Sequence, residues 1–509
     1  MADDTERELA DLRAEVARLR AEKATYGLRF SAHPEPGVAQ QVLSGGVPVP
    51  VLTPELCVGN ESASRRHWLY EGDNLGSLLS LGRTHAHQMN VIYIDPPYNT
   101  ASKDFTYHDD YADSVDGFRH SSWLSFMRPR LRLARDLLAE DGFIAISIND
   151  KELATLRLLS DEVFGEHNFL GMMVWQSRSM VPKTPHFGVL TEYILFYAKN
   201  KAHVKMTKRL SNLANYKGRD EHYEEWGGYQ TRTIDSSSLR YNPNQDMPIV
   251  FEGKTYYAGG VTEEQWRARR ERAARSSQTR GLHSWVWSER RIQWGIEQGI
   301  VFARNGRLHY KYYERADRDL KPCGPRTQAH SNLIPSTFVT TASGTSEVKR
   351  LFGSRAFTYP KPTKLLRHII GLHPNKDALV LDFFAGSGST GHAVLEMNKK
   401  DGGNRRFILA TDNSNTDGVE ADGIARTITG PRIQKVISGV WADGKKHPSH
   451  PDDALDYYVM EVVGTAQEPL CGPVRDDDTW DAAGYVQGVR DAVSDLYDRG
   501  ELAVKEDDR

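Results

Sequence analysis

Cysteine is nearly absent: Cys57, Cys323 and Cys471 stand far apart in a chain of 509 residues. Without paired ligand spacing, neither a zinc site nor a disulfide framework is predicted. Long apolar runs are missing as well. No stretch approaches the roughly 18 consecutive apolar residues of a membrane-spanning helix. The polar, acidic start Met1-Ala2-Asp3-Asp4 is unlike a secretory leader, so a cytoplasmic protein with no membrane partner is expected. The phosphate-loop pattern G-x-x-x-x-G-K-[ST] does not occur and no nuclease signature is apparent, so ATP hydrolysis or strand cleavage would need another polypeptide. An excess of positive charge is lacking too, with 65 Lys and Arg against 68 Asp and Glu. That deficit is local. Residues 448–509 hold 16 acidic and 5 basic side chains, a balance of −11, which leaves +8 on residues 1–447. A composition of 39% hydrophobic and 26% charged residues is that of an ordinary globular protein, long enough for two or three cores.

What is present is a pair of apolar runs, each closed by an unusual turn. Val91-Ile92-Tyr93-Ile94 leads into Asp95-Pro96-Pro97-Tyr98, and Ala378-Leu379-Val380-Leu381 leads into Asp382-Phe383-Phe384-Ala385-Gly386-Ser387-Gly388. The first turn suits chemistry on an exocyclic amine, a poor nucleophile because its lone pair is delocalised into the ring. Two acceptors aimed at its hydrogens, the Asp95 carboxylate and the Pro96 carbonyl, would rehybridise it. Pro96 and Pro97 fix φ near roughly −65° and hold that carbonyl in place. Tyr98 offers a ring for stacking a base that has left its duplex. A plain proline-terminated strand is the bland alternative for the tetrapeptide alone.

Gly386-Ser387-Gly388-Ser389-Thr390-Gly391 fits G-x-G-x-x-G, and Asp412 closes the next strand-like run, Arg406–Thr411. A nicotinamide-binding fold shares that pattern. The upstream Asp95 turn and the preceding Asp382-Phe383-Phe384-Ala385 favour S-adenosyl-L-methionine instead. Gly386 and Gly388 would let the backbone approach the cofactor, and Asp412 is the natural carboxylate for its ribose, though an acid at a strand end often only caps a helix.

Together these turns resemble the base-binding and cofactor-binding motifs of the β group of amino-methylating DNA methyltransferases, in which the catalytic motif precedes the cofactor motif. The resemblance to modification subunits of type III restriction systems extends over residues 20–440. Gly72-Asp73-Asn74-Leu75, Asp141–Asp150, Asp161–Gly165, Thr191–Asn200 and Tyr359-Pro360-Lys361-Pro362-Thr363-Lys364 all resemble segments of that family. It implies cofactor roles for Asp73, Lys361, Pro362, Asp382, Phe384, Gly386, Gly388, Ser389, Thr390 and Asp412, and catalytic roles for Asp95, Pro96, Pro97 and Tyr98. Asp412-Asn413 departs from the Asn or Glu often found there, which leaves the ribose ligand open.

Between residues 201 and 335 the pattern changes to Tyr, Trp and Arg among polar residues, where the β group carries its target-recognition domain. Arg240, Arg267, Arg270, Arg290 and Arg291 are candidate DNA-binding residues, with a basic helix over 266–280 meeting phosphates, while several of the tryptophans are expected in the core. Leu9, Leu12, Val16 and Leu19 form a heptad stripe that Lys23 interrupts before Tyr26. Packing on the chain's own body and self-association fit that stripe equally, and the family resemblance implies a homodimer.

The expected fold is an α/β, doubly wound, Rossmann-like S-adenosylmethionine-dependent methyltransferase sheet built from two chain segments. Its parts are an N-terminal coiled coil at 1–26, a catalytic half at 27–200, a target-recognition domain at 201–335, a cofactor half at 336–440 and an acidic region at 441–509. The expected activity is methylation of adenine N6 in double-stranded DNA within a restriction or defence system. Cytosine N4 is the near alternative. A specificity and docking subunit for a separate helicase-nuclease is another.

Overall fold

The computed structural model describes Gln41 and residues 46–99, 119–238, 240–275, 279–412, 423–463 and 482–499. The heptad stripe, and with it the expected coiled coil, lies outside the described residues. The chain forms two compact units, one of Met1–Thr207 with Ser331–Arg509 and the other of Lys208–His330.

One ten-stranded mixed sheet organises the larger unit. The first segment supplies β1 (Val47–Leu52), β2 (Arg65–Glu71), β3 (Met89–Ile94), β4 (Leu138–Ile148), β5 (Phe169–Gln176) and β6 (Thr191–Ala198). The second supplies β7 (Leu333–Ile334), β8 (Leu379–Asp382), β9 (Arg406–Thr411) and β10 (Asp453–Val463). Their order across the sheet is β1-β10-β2-β9-β8-β3-β4-β6-β5-β7, and the stretch from β10 to β4 is parallel throughout.

Parallel strands covered on both faces need apolar side chains in both directions, and this is why β3 and β8 read as unbroken apolar runs. Ile92 and Ile94 point into one core with Trp123, Leu131 and Leu156, whereas Val91 and Tyr93 enter the other with Leu366, Val394 and Ile433. Helices α1 (Asn74–Thr84), α2 (Arg119–Leu137) and α3 (Leu153–Phe164) cover the first face. The opposite face carries α4 (Thr341–Phe352), α5 (Thr363–Ile370), α6 (Ser389–Asp401) and α7 (Gly430–Ser438). Val380 lies opposite Val91 and Leu381 opposite Ile92. That register puts the two motif-bearing turns side by side at the carboxyl ends of two central strands, where ligands of doubly wound folds bind.

Gly142 falls after the end of α2, which stops at Leu137 and passes directly into β4. It lies within the strand, where a Cβ would fall 2.5 Å from the Met89 carbonyl oxygen, beside a register shift between Met89 and Val91. The acidic region set apart by its charge also contributes to the sheet, because β10 runs between β1 and β2. Asp453 accepts from Arg65 Nε at 2.7 Å, and Asp456 pairs with Arg66. Cross-strand partners thus neutralise acids that would otherwise oppose a buried strand. Farther on, α8 (Ala482–Asp498) buries Tyr485, Val489, Val493 and Leu496 in the first core.

The smaller unit has its own core of Ile234, Ile249, Trp285, Ile292, Val301 and Leu308. Its three-stranded sheet orders Val301–Arg304, Arg307–Tyr313 and Tyr229–Thr233, and its helices include Glu263–Arg275 and Glu289–Glu297. Among the described residues of the whole chain, no helix is long and apolar enough to cross a membrane.

Candidate active site

Asp95, Pro96, Pro97 and Tyr98 leave the end of β3 and line a cavity of about 870 Å3. The turn is braced from behind. Trp123 Nε1 donates to the Pro97 carbonyl at 2.7 Å, and Asn99, held at a φ of 53°, donates to the buried Glu152 at 2.6 Å. The Tyr98 hydroxyl donates to Asp95 Oδ1 at 2.7 Å, which fixes the half-buried ring against the carboxylate. Burial, reinforced by the charges of Asp95 and Glu192, pushes the Tyr98 phenol well above its ordinary pKa, so it remains a donor.

Lys361 enters the same cluster from the second segment. Its ammonium is 2.8 Å from Asp95 Oδ2, 3.3 Å from Glu192 Oε2 and 2.8 Å from the Tyr98 hydroxyl. Burial opposes the charge, but the two carboxylates outweigh it and hold the lysine pKa above its usual value. The resemblance gave Lys361 a cofactor role; the structure gives it Asp95 as its ion-pair partner. Glu192 was legible only as part of strand β6, since its place at the site depends on Lys361 and Tyr98 arriving from distant segments.

The second turn closes the neighbouring part of the cavity. Phe384, Gly386 and Asp412 line it, together with Asn74, Phe357, Thr411, Ile424 and Ile428. Gly386 has a φ of +46°, and a Cβ there would lie 3.3 Å from the Phe357 ring; Gly388, at +73°, would meet Thr429 at 3.2 Å. These are positions for glycine.

The remaining expected cofactor residues, Asp73, Pro362, Asp382, Gly388, Ser389 and Thr390, do not line the cavity. Asp73 caps α1, accepting from the Leu75 and Gly76 amides at 2.7 and 3.2 Å. Its neighbour Asn74 donates to the Phe383 carbonyl at 3.3 Å and accepts from the buried Arg130 at 2.6 Å. Asp382 accepts from the Phe384 amide at 3.1 Å and from the Thr390 hydroxyl. Burial raises its pKa to about 7, against the lowering effect of those bonds. Ser389 accepts from Arg432, which is fully buried, at 2.7 Å, and Pro362 precedes the first turn of α5. These groups set the shape of the loop.

Of the arginines singled out in the smaller unit, Arg240 and Arg290 are exposed. Arg267 is exposed but pairs with Glu263 at 2.6 Å, Arg270 donates to the Asp246 carbonyl at 2.8 Å, and Arg291 pairs with Asp319 at 3.2 Å. Arg269, also on the basic helix, is a structural brace to Asp246. Sequence reasoning missed a polar groove in this unit lined by Asn212, Asn215, Gln230, Arg232, Tyr312 and Gln328. Its residues come from segments far apart in the chain, so no local pattern announces it.

A family model described as DNA methylase matches residues 89–416. The Mod subunit of the type III restriction-modification enzyme StyLTI from Salmonella typhimurium is 34% identical over 379 residues, covering 69% of this chain and 53% of that protein. The type II methyltransferase M.KpnI of Klebsiella pneumoniae is 34% identical over 357 residues, covering 68% and 80% respectively. The EcoPI Mod subunit of Escherichia phage P1 is 34% identical over 386 residues, covering 68% and 58%. The chain therefore spans a little over half the length of the type III subunits it matches.

Proposed function

Because this chain belongs to the DNA methylase family, whose model matches residues 89–416, we propose that it transfers a methyl group to N6 of adenine in double-stranded DNA. The donor is S-adenosyl-L-methionine. The observation that carries this reading is that Asp95-Pro96-Pro97-Tyr98 and the Phe384–Gly386 turn, from two widely separated chain segments, open on one cavity.

The cavity's second half fits such a donor. Phe357, Phe384, Ile424 and Ile428 would give an adenine ring an apolar bed, Asp412 would offer a carboxylate to ribose hydroxyls, and Gly386 would leave its backbone open to close approach. When bound, the donor supplies an electrophilic methyl group. The chain's own residues then act on the amine. Asp95 and the Pro96 carbonyl accept from its two hydrogens and localise the nitrogen lone pair, and Tyr98 stacks on the extruded base. Lys361 keeps the Asp95 carboxylate oriented, and each carboxylate oxygen retains a lone pair for the amine.

The smaller unit reads the sequence, its polar groove offering Asn, Gln and Arg side chains suited to base edges. Names of relatives that include Mod subunits support a role beside a separate restriction subunit in a defence system. The test is to incubate the purified chain with labelled donor and DNA and then sequence for modified bases. N6-methyladenine at one recurring site is expected; cytosine N4 methylation or no incorporation would overturn the reading.

A further inference from the structure

The loop between β5 and β6 displays an apolar tip. Phe187 is 96% exposed, Met180 81% and Val181 66%. A phenyl ring left wholly in water contributes nothing to folding, since burial is what stabilises it. The loop is nonetheless braced. The Arg178 amide donates to the Leu190 carbonyl at 3.3 Å and the Ser177 hydroxyl to the same carbonyl at 3.4 Å. Gly188 backs onto Val181 so closely that a Cβ would fall 2.4 Å from its side chain, and Pro182 and Pro185 restrict the backbone further.

Its position and charge narrow what it can meet. Arg178, Pro182, Thr184, Phe187 and Val189 line the same cavity as Asp95 and Tyr98. Residues 177–191 contain no Asp or Glu, and Arg178 and Lys183 are exposed beside the apolar tip. An apolar protein partner would have no use for that charge or for a place at the cavity wall. A polyanion with a stacked apolar interior uses all three features.

We infer that Phe187, flanked by Met180 and Val181, inserts into the base stack of duplex DNA where the target base has left, with Arg178 and Lys183 against the neighbouring phosphates. The inference rests on the methyl-transfer reading and deepens it. Extruding a paired base costs unstacking and unpairing energy, and an aromatic wedge offsets part of that by stacking on the bases left behind.

The test uses duplexes carrying the site found by modified-base sequencing, one fully paired and one with an abasic position opposite the target, where the base is already unpaired. Phe187→Ala should lower the methylation rate about tenfold or more on the paired duplex and recover most of that loss on the abasic one. Phe187→Trp, which keeps the ring, should stay within about threefold of the parent on both. An equal loss on both duplexes, no loss on either, or a changed oligomeric state of Phe187→Ala in sedimentation overturns the wedge. Failure of the unaltered chain to methylate either duplex overturns the methyl-transfer reading itself.

Discussion

Lys361 and Asp95 form an ion pair of 2.8 Å that joins the two chain segments at the floor of the cavity. The proposed acceptor for the amine is therefore positioned by a cation from the second chain segment. Any change that separates the halves would disturb the carboxylate directly.

Replacing Lys361 by Met should leave Asp95 and Glu192 facing one cluster without their shared cation. Lys361 is 10% exposed, while Asp95 and Glu192 are 24% and 18% exposed, so solvent screens part of the loss. A stability decrease on the order of 1–3 kcal/mol in urea unfolding is expected, with at least about a tenfold fall in methylation. Lys361→Arg should recover part of both. A Met variant as stable and active as the parent would show the pair to be incidental.

Asp95→Ala should reduce methylation on the order of a hundredfold or more, because it removes a preorganised acceptor from the amine. Donor binding, measured by calorimetry, should remain. Near-parental turnover would remove Asp95 from the reaction.

Gly386→Val should abolish donor binding. A branched side chain at a φ of +46°, with the Phe357 ring 3.3 Å from the first added carbon, both strains the backbone and fills the cavity wall. Thermal melting must show a folded variant. Unchanged donor affinity in that variant would place the donor elsewhere.

Asp382→Asn tests the buried acid by pH. Folded Asp382 holds its proton up to about pH 7, whereas its ordinary value is 3.8. Between these values the folded state binds more protons than the unfolded one, so the parent loses stability as pH rises, by up to about 1.4 kcal/mol per unit, and then levels off. The variant does not titrate there. Its stability relative to the parent should climb from pH 5 to 7 and be flat above, in unfolding curves at matched ionic strength; a difference independent of pH would mean that Asp382 stays ionised.

Exchanging residues 208–330 for the matching unit of a relative with another site should transfer that relative's recognition sequence. Charge reversal at Arg267 and Arg272 should instead weaken binding to all DNA alike and flatten its salt dependence, since phosphate contacts carry no base information. A folded, active chimera that keeps the original site would place sequence reading in the larger unit.

The parts of this molecule legible in its sequence are those whose signal is local. The runs before Asp95 and Asp382 are apolar in both directions because β3 and β8 are buried on both faces, so strand and turn could be read together. Glu192, Glu152 and the polar groove carry no such mark; each gains its place from partners that only the folded chain supplies. Strand β10 was legible in part: Leu455, Tyr457, Tyr458 and Val459 mark an ordered piece within the acidic stretch, whereas Asp453 and Asp456 gain their place only from Arg65 and Arg66 beside them. Gly142 shows the limit of a local rule, since a glycine after a helix usually ends it, and here it permits close strand packing.

Strand β10 also sets when the ten-stranded sheet can be completed. Arg65 and Asp453 are separated by 388 positions, so β2, paired with β9 along one side, waits for almost the whole chain before β10 covers the other. Synthesis at about 5–20 residues per second leaves that strand edge unpaired for tens of seconds. During this interval β2 offers open backbone donors and acceptors to any other nascent strand, the circumstance in which aggregation competes with folding. Nascent chains should therefore depend on chaperones or on slow dilution, and a copy truncated before residue 453 should be lost to insoluble material rather than persist as a smaller enzyme.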